Sequence, residues 1–314
     1  MKKIRATTPG FRPRSSFSHS TVIALALFCL GLIQIAQAGP KYPVADDDKV
    51  TQADSVTRGP EKGRLFIVGG GRIGDDLKMK FVELAGGTDA KIVMIPTAWS
   101  GYNESTEART KSLFESVGAT NVHVYHTTDP KQADDPVFTK ILEDADAIWF
   151  GGGRQWRLVD AYGGTRSEKL FRKVLERGGI IGGSSAGATI QGSFLARGDT
   201  RNNQIMVGDH QRGFSYISNI AIDQHVLARG RQFDMFDILD EFPHLLGIGI
   251  DEGTAIVVEK DSFEVMGPSF VLIYDRSFWA REGITRKTVP AENRRFYFLR
   301  EGDRYDMVKR RVLN

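Results

Sequence analysis

From residue 64 onward the sequence alternates short apolar runs with amphipathic segments, and this alternation restricts the fold more than any other feature. The apolar runs lie at 65–68, 92–95, 122–125, 147–150 and 179–181. Between them, segments such as 107–117 and 168–176 have the spacing of helices with one apolar face. Apolar runs without polar alternation are typical of parallel strands buried on both faces. The pattern predicts an α/β fold with a doubly wound, mostly parallel sheet.

Beyond residue 247 the apolar runs follow one another closely, at 248–250, 255–258, 263–266, 270–274 and 295–299. Connections this short suit antiparallel pairs, because parallel neighbours need a crossover of a dozen or more residues. We therefore expect an antiparallel C-terminal edge on the same sheet. The sequence shows no internal repeat and no second linker, so residues 64–314 are predicted to form a single α/β domain.

Residues 1–38 have the features of a secretory signal peptide. Five basic residues and no acidic one precede and flank an apolar run at 21–35, and Ala36-Gln37-Ala38 gives a small-x-small cleavage pattern. The run is shorter than the ~20 residues of a bilayer span. We expect cleavage after Ala38, export to the periplasm or the medium, and no stable membrane anchor afterwards. Residues 39–63 are predicted to be a flexible arm.

Charge and cysteine content exclude several classes of function. The chain has 42 Lys and Arg against 39 Asp and Glu, and loss of the five basic residues in 1–38 leaves a net charge of −2. Without a basic surface, nucleic acid is not an expected partner. The single Cys29 excludes a disulfide framework and a cysteine nucleophile in the mature chain. His123 and His126 lack a third ligand, so we expect neither a metal nor a cofactor.

The sequence around Ser185 has the pattern of a nucleophile elbow. An apolar run leads through Gly183-Ser184-Ser185-Ala186-Gly187 into a helical segment predicted to reach about residue 194. A nucleophile on a strained strand-to-helix turn leaves no space for side chains two residues before and after it. Its place at a helix start also offers backbone N–H groups to an oxyanion. We predict Ser185 as the nucleophile, with the N–H groups of Ala186 and Gly153 as oxyanion donors.

A serine nucleophile needs a base and an acid that orients it. His225 ends the apolar run at 220–224, where the sheet of an α/β protein presents functional groups, and is the predicted base. The acids between Ser185 and His225 are Asp199, Asp209 and Asp223. Asp223 lies too close to the histidine in sequence to orient it well. The residues alone leave both Asp199 and Asp209 as candidates.

Four sequence blocks together resemble the cyanophycinases, serine exopeptidases related to aspartyl dipeptidases. They are the elbow at 183–188, Asp223-Gln224-His225 with Arg229 and Arg231, the segment 247–255 and the glycine loop 150–155 with Gln155. The resemblance covers about residues 64–274. It implies a glutamine-amidotransferase-like, flavodoxin-like fold, Ser185 as nucleophile, His225 as base and an acid after the elbow helix, where Asp199 stands. Val226 and Asp234 depart from the family pattern.

The resemblance also implies a substrate. Cyanophycin is a polyaspartate with arginine joined to each side chain by an amide bond, so every unit carries a carboxylate and a guanidinium, and the implied products are β-Asp-Arg dipeptides. Arg229 and Arg231 suit carboxylate binding, Gln155 suits a substrate amide, and Asp223 and Gln224 flank the base. Whether the substrate is the polymer or an Asp-containing dipeptide is left open, as is the oligomeric state, with a homodimer as one option.

Four other functions compete with this interpretation. Residues 69–74 match the dinucleotide pattern G-x-G-x-x-G, but the strand at 92–95 leads into Pro96 instead of the acidic residue that pattern requires. In an α/β-hydrolase esterase the histidine lies near the chain end, whereas His225 lies soon after Ser185. An aspartyl dipeptidase shares fold and elbow. A catalytically inactive binding protein of this fold is the alternative from another class.

Overall fold

The computed structural model describes residues 56–283 and 289–313. The predicted signal peptide (1–38) and most of the predicted arm (39–63) lie outside these residues. The described end of the arm is packed. Thr57 is buried and donates its hydroxyl to the carbonyl of Asn219, and Arg58 forms a β-bridge with Ser218. Backbone bonds to an internal strand thus fix the chain before the first predicted strand begins.

The described residues contain fourteen strands and seven α-helices. The strands are β1 Arg64–Val68, β2 Ile92–Ile95, β3 Val122–Val124, β4 Ala147–Phe150, β5 Ile180–Ser184, β6 Gly192–Phe194, β7 Ile217–Gln224, β8 Leu246–Ile250, β9 Ala255–Glu259, β10 Ser262–Met266, β11 Val271–Tyr274, β12 Tyr297–Leu299, β13 Arg304–Asp306 and β14 Arg311–Leu313. The helices are α1 Asp75–Ala85, α2 Glu107–Glu115, α3 Pro130–Asp134, α4 Trp156–Tyr162, α5 Arg166–Glu176, α6 Ala186–Thr189 and α7 Met235–Glu241.

The strands form two mixed sheets. Nine of them are ordered β14-β13-β10-β9-β1-β5-β4-β2-β3, and the other five β12-β11-β8-β7-β6. In the larger sheet β1 to β5 are parallel, and β9, β10, β13 and β14 continue from β1 as an antiparallel extension. In the smaller sheet β6, β7 and β8 are parallel, and β11 and β12 are antiparallel. In both sheets, the carboxyl ends of the parallel strands are therefore available to carry a site.

The α/β class agrees with the sequence, but two mixed sheets replace the single, mostly parallel sheet that was expected. Only residues 251–254 separate β8 from β9, yet β8 lies in the smaller sheet and β9 in the larger one. An apolar run indicates burial on both faces, and it does not indicate which strand lies beside it. The helix after the elbow is also shorter than expected, since α6 ends at Thr189 and residues 192–194 form β6.

Packing on both faces of the larger sheet makes a rigid base for the strand ends. On one face Trp149 of β4 contacts Phe81 of α1 and Phe114 of α2, with ring centroids 4.9 and 5.0 Å apart. On the other face, Ile181 of β5 and Ile220 of β7 belong to one buried cluster shared by the two sheets. Within residues 56–283 and 289–313, no helix has the length and apolar character needed to cross a membrane.

Candidate active site

Ser185 lies in a sharp turn between β5 and α6. Its φ of 58° and ψ of −113° are strained values for a residue with a side chain, a cost of about 1–3 kcal/mol. A Cβ added to Gly183 would lie 2.2 Å from the carbonyl oxygen of Gly187, and one added to Gly187 would lie 2.0 Å from that of Phe150. The turn therefore requires glycine before and after Ser185, as the steric argument from the sequence states.

Ser185, His225 and Glu252 form a chain of hydrogen bonds. The hydroxyl Oγ of Ser185 lies 2.9 Å from Nε2 of His225, and Nδ1 of His225 lies 2.5 Å from Oε1 of Glu252. With the ring proton on Nδ1, the imidazole donates to the carboxylate and Nε2 accepts from the serine. This is the arrangement of a nucleophile, a base and an orienting acid.

The surroundings of His225 favour its neutral form. Burial lowers the pKa of His225 below its ordinary value, and the hydrogen bond to Glu252 opposes that effect. The charge of Arg229 lowers the same pKa further. Since a base must be unprotonated before it can take a proton, these shifts suit an imidazole that acts on Ser185 near neutral pH.

Three consecutive carbonyl groups at the end of β1, here called the carbonyl row, hold the segments that carry these side chains. They are Val68, which accepts the N–H of Ser185 at 3.1 Å, Gly69, which accepts that of His225 at 2.8 Å, and Gly70, which accepts that of Gly253 at 2.9 Å. A Cβ on Gly70 would lie 2.2 Å from Cε1 of His225, so glycine is required there. The 69–74 motif thus lets the backbone approach the site.

Asp251 supports the same region from the other side. Its carboxylate accepts the N–H groups of Leu227 at 3.0 Å and Ala228 at 2.8 Å, and the hydroxyl of Ser269 at 2.6 Å. These bonds fix the turn that follows His225. Because Asp251 precedes Glu252 directly, the same carboxylate couples the position of the base to that of the acid.

The contact expected between Asp199 and the imidazole is not present. Asp199 is fully buried, and its carboxylate accepts from Arg201 at 2.9 Å, which lowers the pKa of Asp199. Asp209 accepts from Thr200 and His210 instead. Glu252, after β8, holds the position that was assigned to Asp199. Glu252 lies outside the segment between Ser185 and His225, and chain order does not determine which strand ends meet.

Ser185 opens into a cleft of about 520 Å³ at the carboxyl ends of the parallel strands. Two arginines, Arg109 of α2 and Arg229, line it, and no Asp or Glu of the described residues does. Trp99 also lines the cleft, with the guanidinium of Arg109 5.8 Å from the centre of its ring. The charges favour an anionic group next to Ser185. Trp99 and Arg109 were missed because no sequence motif marks them.

Of the five residues predicted to bind substrate, only Arg229 is exposed at the cleft. Asp223, 1% exposed, receives two hydrogen bonds from the buried guanidinium of Arg197, at 2.7 and 2.9 Å. Arg197 also donates to Asp234 at 2.6 Å, which gives the family departure at Asp234 a structural reason. The carboxylate of Asp223 is therefore already bound by a cation within the protein.

The other three predicted substrate-binding residues are buried as well. Arg231 donates to the carbonyl of Gln224 at 3.2 Å, so these two residues bind each other. Gln155 donates through Nε2 to the carbonyl of Ala196 at 2.6 Å, while its Oε1 is buried and has no partner among the described residues. All three side chains are buried, and none of them is exposed in the cleft.

Of the two predicted oxyanion donors, Ala186 lies next to Ser185 and Gly153 does not. Ala186 is buried at the first position of α6, where a helix leaves its N–H groups without intrahelical acceptors. A Cβ on Gly152 would lie 3.4 Å from Cβ of Ser185, whereas one on Gly153 would lie 2.2 Å from the carbonyl oxygen of Ala98. The glycine beside Ser185 is therefore Gly152, one residue before the one that was predicted.

Histidines and acidic residues do not form a metal-binding cluster in the described part of the chain. In it, no group of three or more His, Cys, Asp or Glu side chains is placed to hold a metal ion. His123 bonds to Asn121 at 2.6 Å, and His126 bonds to Thr97 at 2.8 Å. These two histidines therefore have protein partners of their own.

Comparisons with known proteins identify the family. The profile of Peptidase family S51 matches residues 65–266. The cyanophycinase of Geminocystis herdmanii is 32% identical over 259 residues, 78% of this chain and 94% of that protein. The cyanophycinase of Trichormus variabilis is 28% identical over 265 residues, 80% and 88% of the two chains. The fold matches the crystal structure of a peptidase from an acI-B1 Actinobacterium with a TM-score of 0.60 at 23% identity, over 79% of this chain and 98% of that one.

The fold and the family together define a peptidase. The chain belongs to peptidase family S51, and the curated relatives reported above are cyanophycinases.

Proposed function

We propose that the protein is a serine-type exopeptidase that hydrolyses cyanophycin to β-Asp-Arg dipeptides. The observation that carries the proposal is the chain of contacts from Ser185 through His225 to Glu252, in a member of a peptidase family. Similarity to cyanophycinases over more than three quarters of the chain supports the substrate. Glu252 takes the role that was expected of Asp199.

In the proposed acylation, Nε2 of His225 takes the proton of Ser185 while Oγ attacks the carbonyl of a backbone aspartyl unit. Glu252 stabilises the imidazolium that forms. Backbone N–H groups at Ala186 and Gly152 are the proposed donors to the oxyanion. His225 then gives its proton to the leaving amine, and water, activated by the same imidazole, releases the acyl group from the serine.

The cleft supplies what a carboxylate-rich substrate needs. Arg229 and Arg109 present guanidinium groups beside Ser185, and a guanidinium binds a carboxylate through two parallel hydrogen bonds. Their charges are not balanced by an acidic residue in the lining. We propose that these two arginines bind the carboxylates of successive substrate units and so direct a chain end to the serine.

An aspartyl dipeptidase is the second candidate, and one observation favours it. The cleft lining holds no carboxylate for a substrate guanidinium, and Asp223 is already bound by Arg197. A small α-Asp dipeptide carries carboxylates that the two arginines can bind, and it has no side-chain cation that needs a carboxylate in the cleft. The two functions share the same serine chemistry and differ in substrate.

The experiment that tests the proposal incubates the purified protein with insoluble cyanophycin and, in parallel, with α-Asp dipeptides, followed by mass analysis of the soluble products. Release of β-Asp-Arg supports the cyanophycinase, and loss of only the dipeptides supports the second candidate. Ser185→Ala is expected to abolish hydrolysis with thermal stability retained, and Ser184→Ala serves as the matched control. Activity that survives in Ser185→Ala and is lost in Ser184→Ala would contradict the assignment.

We also propose that the protein acts outside the cytoplasm. The support is the composition of residues 1–38, with a basic start, an apolar run and a small-x-small site before residue 39. Mass analysis of the amino terminus of protein recovered from the periplasm and the medium tests this. An intact residue 1 on all of the protein would contradict it.

A further inference from the structure

Four phenylalanine rings form a continuous row on the surface of the smaller sheet, here called the aromatic stripe. Its members are Phe233, Phe296, Phe298 and Phe270, with successive ring centroids 5.9, 5.7 and 5.6 Å apart. Phe233 is 60% exposed, Phe298 44% and Phe270 41%. Contiguous exposed apolar side chains mark binding sites more often than single ones do. The proposed active site does not use the stripe.

The stripe is connected to the proposed active site through the backbone. The carbonyl of Phe270 accepts the N–H of Asp251 at 3.1 Å, and Asp251 precedes Glu252. A groove of about 400 Å³ runs along the stripe, lined by Phe270, Phe298 and the exposed Arg300 among others. A bound polymer that followed this groove would therefore lie next to the segment that carries the catalytic acid.

The protein itself shows what these rings can bind. The guanidinium of Arg294 lies 5.1 Å from the ring centre of Phe236, and the Phe236 ring is 6.2 Å from that of Phe296 in the stripe. The same guanidinium makes two hydrogen bonds of 2.7 Å to Asp240. A guanidinium stacked on a phenyl ring with a carboxylate beside it is thus already accommodated by this cluster.

We propose that the aromatic stripe is a second binding surface for the arginine-bearing polymer, separate from the cleft. This rests on the proposed substrate, in which every unit offers one guanidinium and one carboxylate. The rings take the guanidinium groups by cation–π stacking, and Arg300 takes a carboxylate. The cleft lining has no carboxylate for the guanidinium groups, so the stripe recognises the part of the polymer that the cleft does not. Binding at two places holds the enzyme on an insoluble substrate between cleavage events.

The test measures binding of the full chain to insoluble cyanophycin by sedimentation, with Ser185→Ala in every protein to prevent degradation. Phe233→Ser, Phe270→Ser and Phe298→Ser are introduced together, and a matched control carries serine at the exposed Met79 and Val137. The stripe variant is expected to bind about tenfold more weakly than its parent. The control is expected to bind within about twofold of it. Circular dichroism confirms that both variants are folded.

Three results would overturn the proposal. The stripe variant binds the polymer as tightly as its parent does, the parent does not bind the polymer at all, or the parent is a dimer that the substitutions dissociate, which would assign the stripe to a second copy of the chain. With Ser185 restored, the stripe substitutions are expected to reduce dipeptide release from the polymer more than from a soluble two-unit oligomer. Failure of the proposed function is a separate result, because unsubstituted enzyme would then release no dipeptide.

Discussion

Replacing Glu252 by Gln removes the negative charge beside His225 and keeps the size of the side chain. In the proposed mechanism the imidazole becomes an imidazolium, and the carboxylate attracts it. Two unit charges ~4 Å apart attract by about 1 kcal/mol in water and by about 4 kcal/mol at an effective dielectric constant of 20. Glu252 is 38% exposed, so solvent screening places its contribution between these values. At ~1.4 kcal/mol per factor of ten, kcat is expected to fall by about 5-fold to 700-fold.

The pH dependence gives the Glu252→Gln prediction a second, independent readout. Burial lowers the pKa of His225 and the bond to Glu252 raises it, so loss of the carboxylate lowers the pKa further. Since the neutral imidazole is the active form, the acid limb of kcat/KM moves to lower pH while its plateau falls. A variant that merely disturbs packing would lower the plateau without moving the limb.

The assay follows dipeptide release by mass analysis across the range of about pH 5 to 8, where histidine titrates. Asp199→Asn is the matched control, because Asp199 is the acid that the sequence resemblance implies and it bonds to Arg201. Its acid limb is expected to stay in place, although its melting temperature is expected to fall. The reasoning would be refuted if Asp199→Asn shifted the limb and Glu252→Gln left both kcat and the limb unchanged.

Three further predictions address separate parts of the site. Gly70→Ala places a Cβ 2.2 Å from the His225 ring and is expected to reduce kcat at least ~100-fold. The control Gly87→Ala is also at positive φ but has nothing within 4 Å of its added Cβ, so it should affect stability alone. Equal kcat values for these two variants would contradict this prediction. Arg229→Gln is expected to raise KM about tenfold for substrates with free carboxylates and to change kcat little, as steady-state kinetics would show; a fall in kcat at constant KM would contradict it. Burial raises the pKa of Asp209, but hydrogen bonds to the ionised carboxylate outweigh it and hold the pKa at about 2, below its value in the unfolded chain. Its stabilisation is therefore complete above about pH 4 and is lost as the pH falls through about 2. Asp209→Asn is therefore expected to lower the melting temperature at pH 7 and not below pH 2, and an equal loss at both would contradict it.

The elbow was predictable because its requirements are local. Gly183 and Gly187 are needed within two residues of Ser185, for reasons that depend only on backbone sterics. His225 was predictable from a more general rule, because functional groups tend to follow the carboxyl ends of apolar strands in α/β proteins and His225 follows such a strand. The same rule applied to β8 points to Asp251 and Glu252, so the signal for the acid was present in the sequence. A prediction restricted to the acids between the serine and the histidine does not include it.

The burial of the predicted substrate residues was not accessible from the sequence. Asp223 is bound by Arg197, which is far from it in the chain and has a φ of 59°. A pattern of residue types indicates that a carboxylate is present, and it does not show whether another side chain already binds it. The division into two sheets has a similar origin, because strand partners such as β1 and β9 are set by long-range packing.

The carbonyl row has a consequence for how proteins of this design can diverge. The spacing of Val68, Gly69 and Gly70 is set by covalent bonds, with consecutive Cα atoms ~3.8 Å apart. One inserted or deleted residue there would move all three supported segments out of alignment at once. The loop with Trp99 and the helix with Arg109 make no such backbone bonds to the row, so their length and composition can change while the hydrolytic step is preserved. Under the proposed function, substrate preference and bond cleavage are thus inherited on separate stretches of the chain.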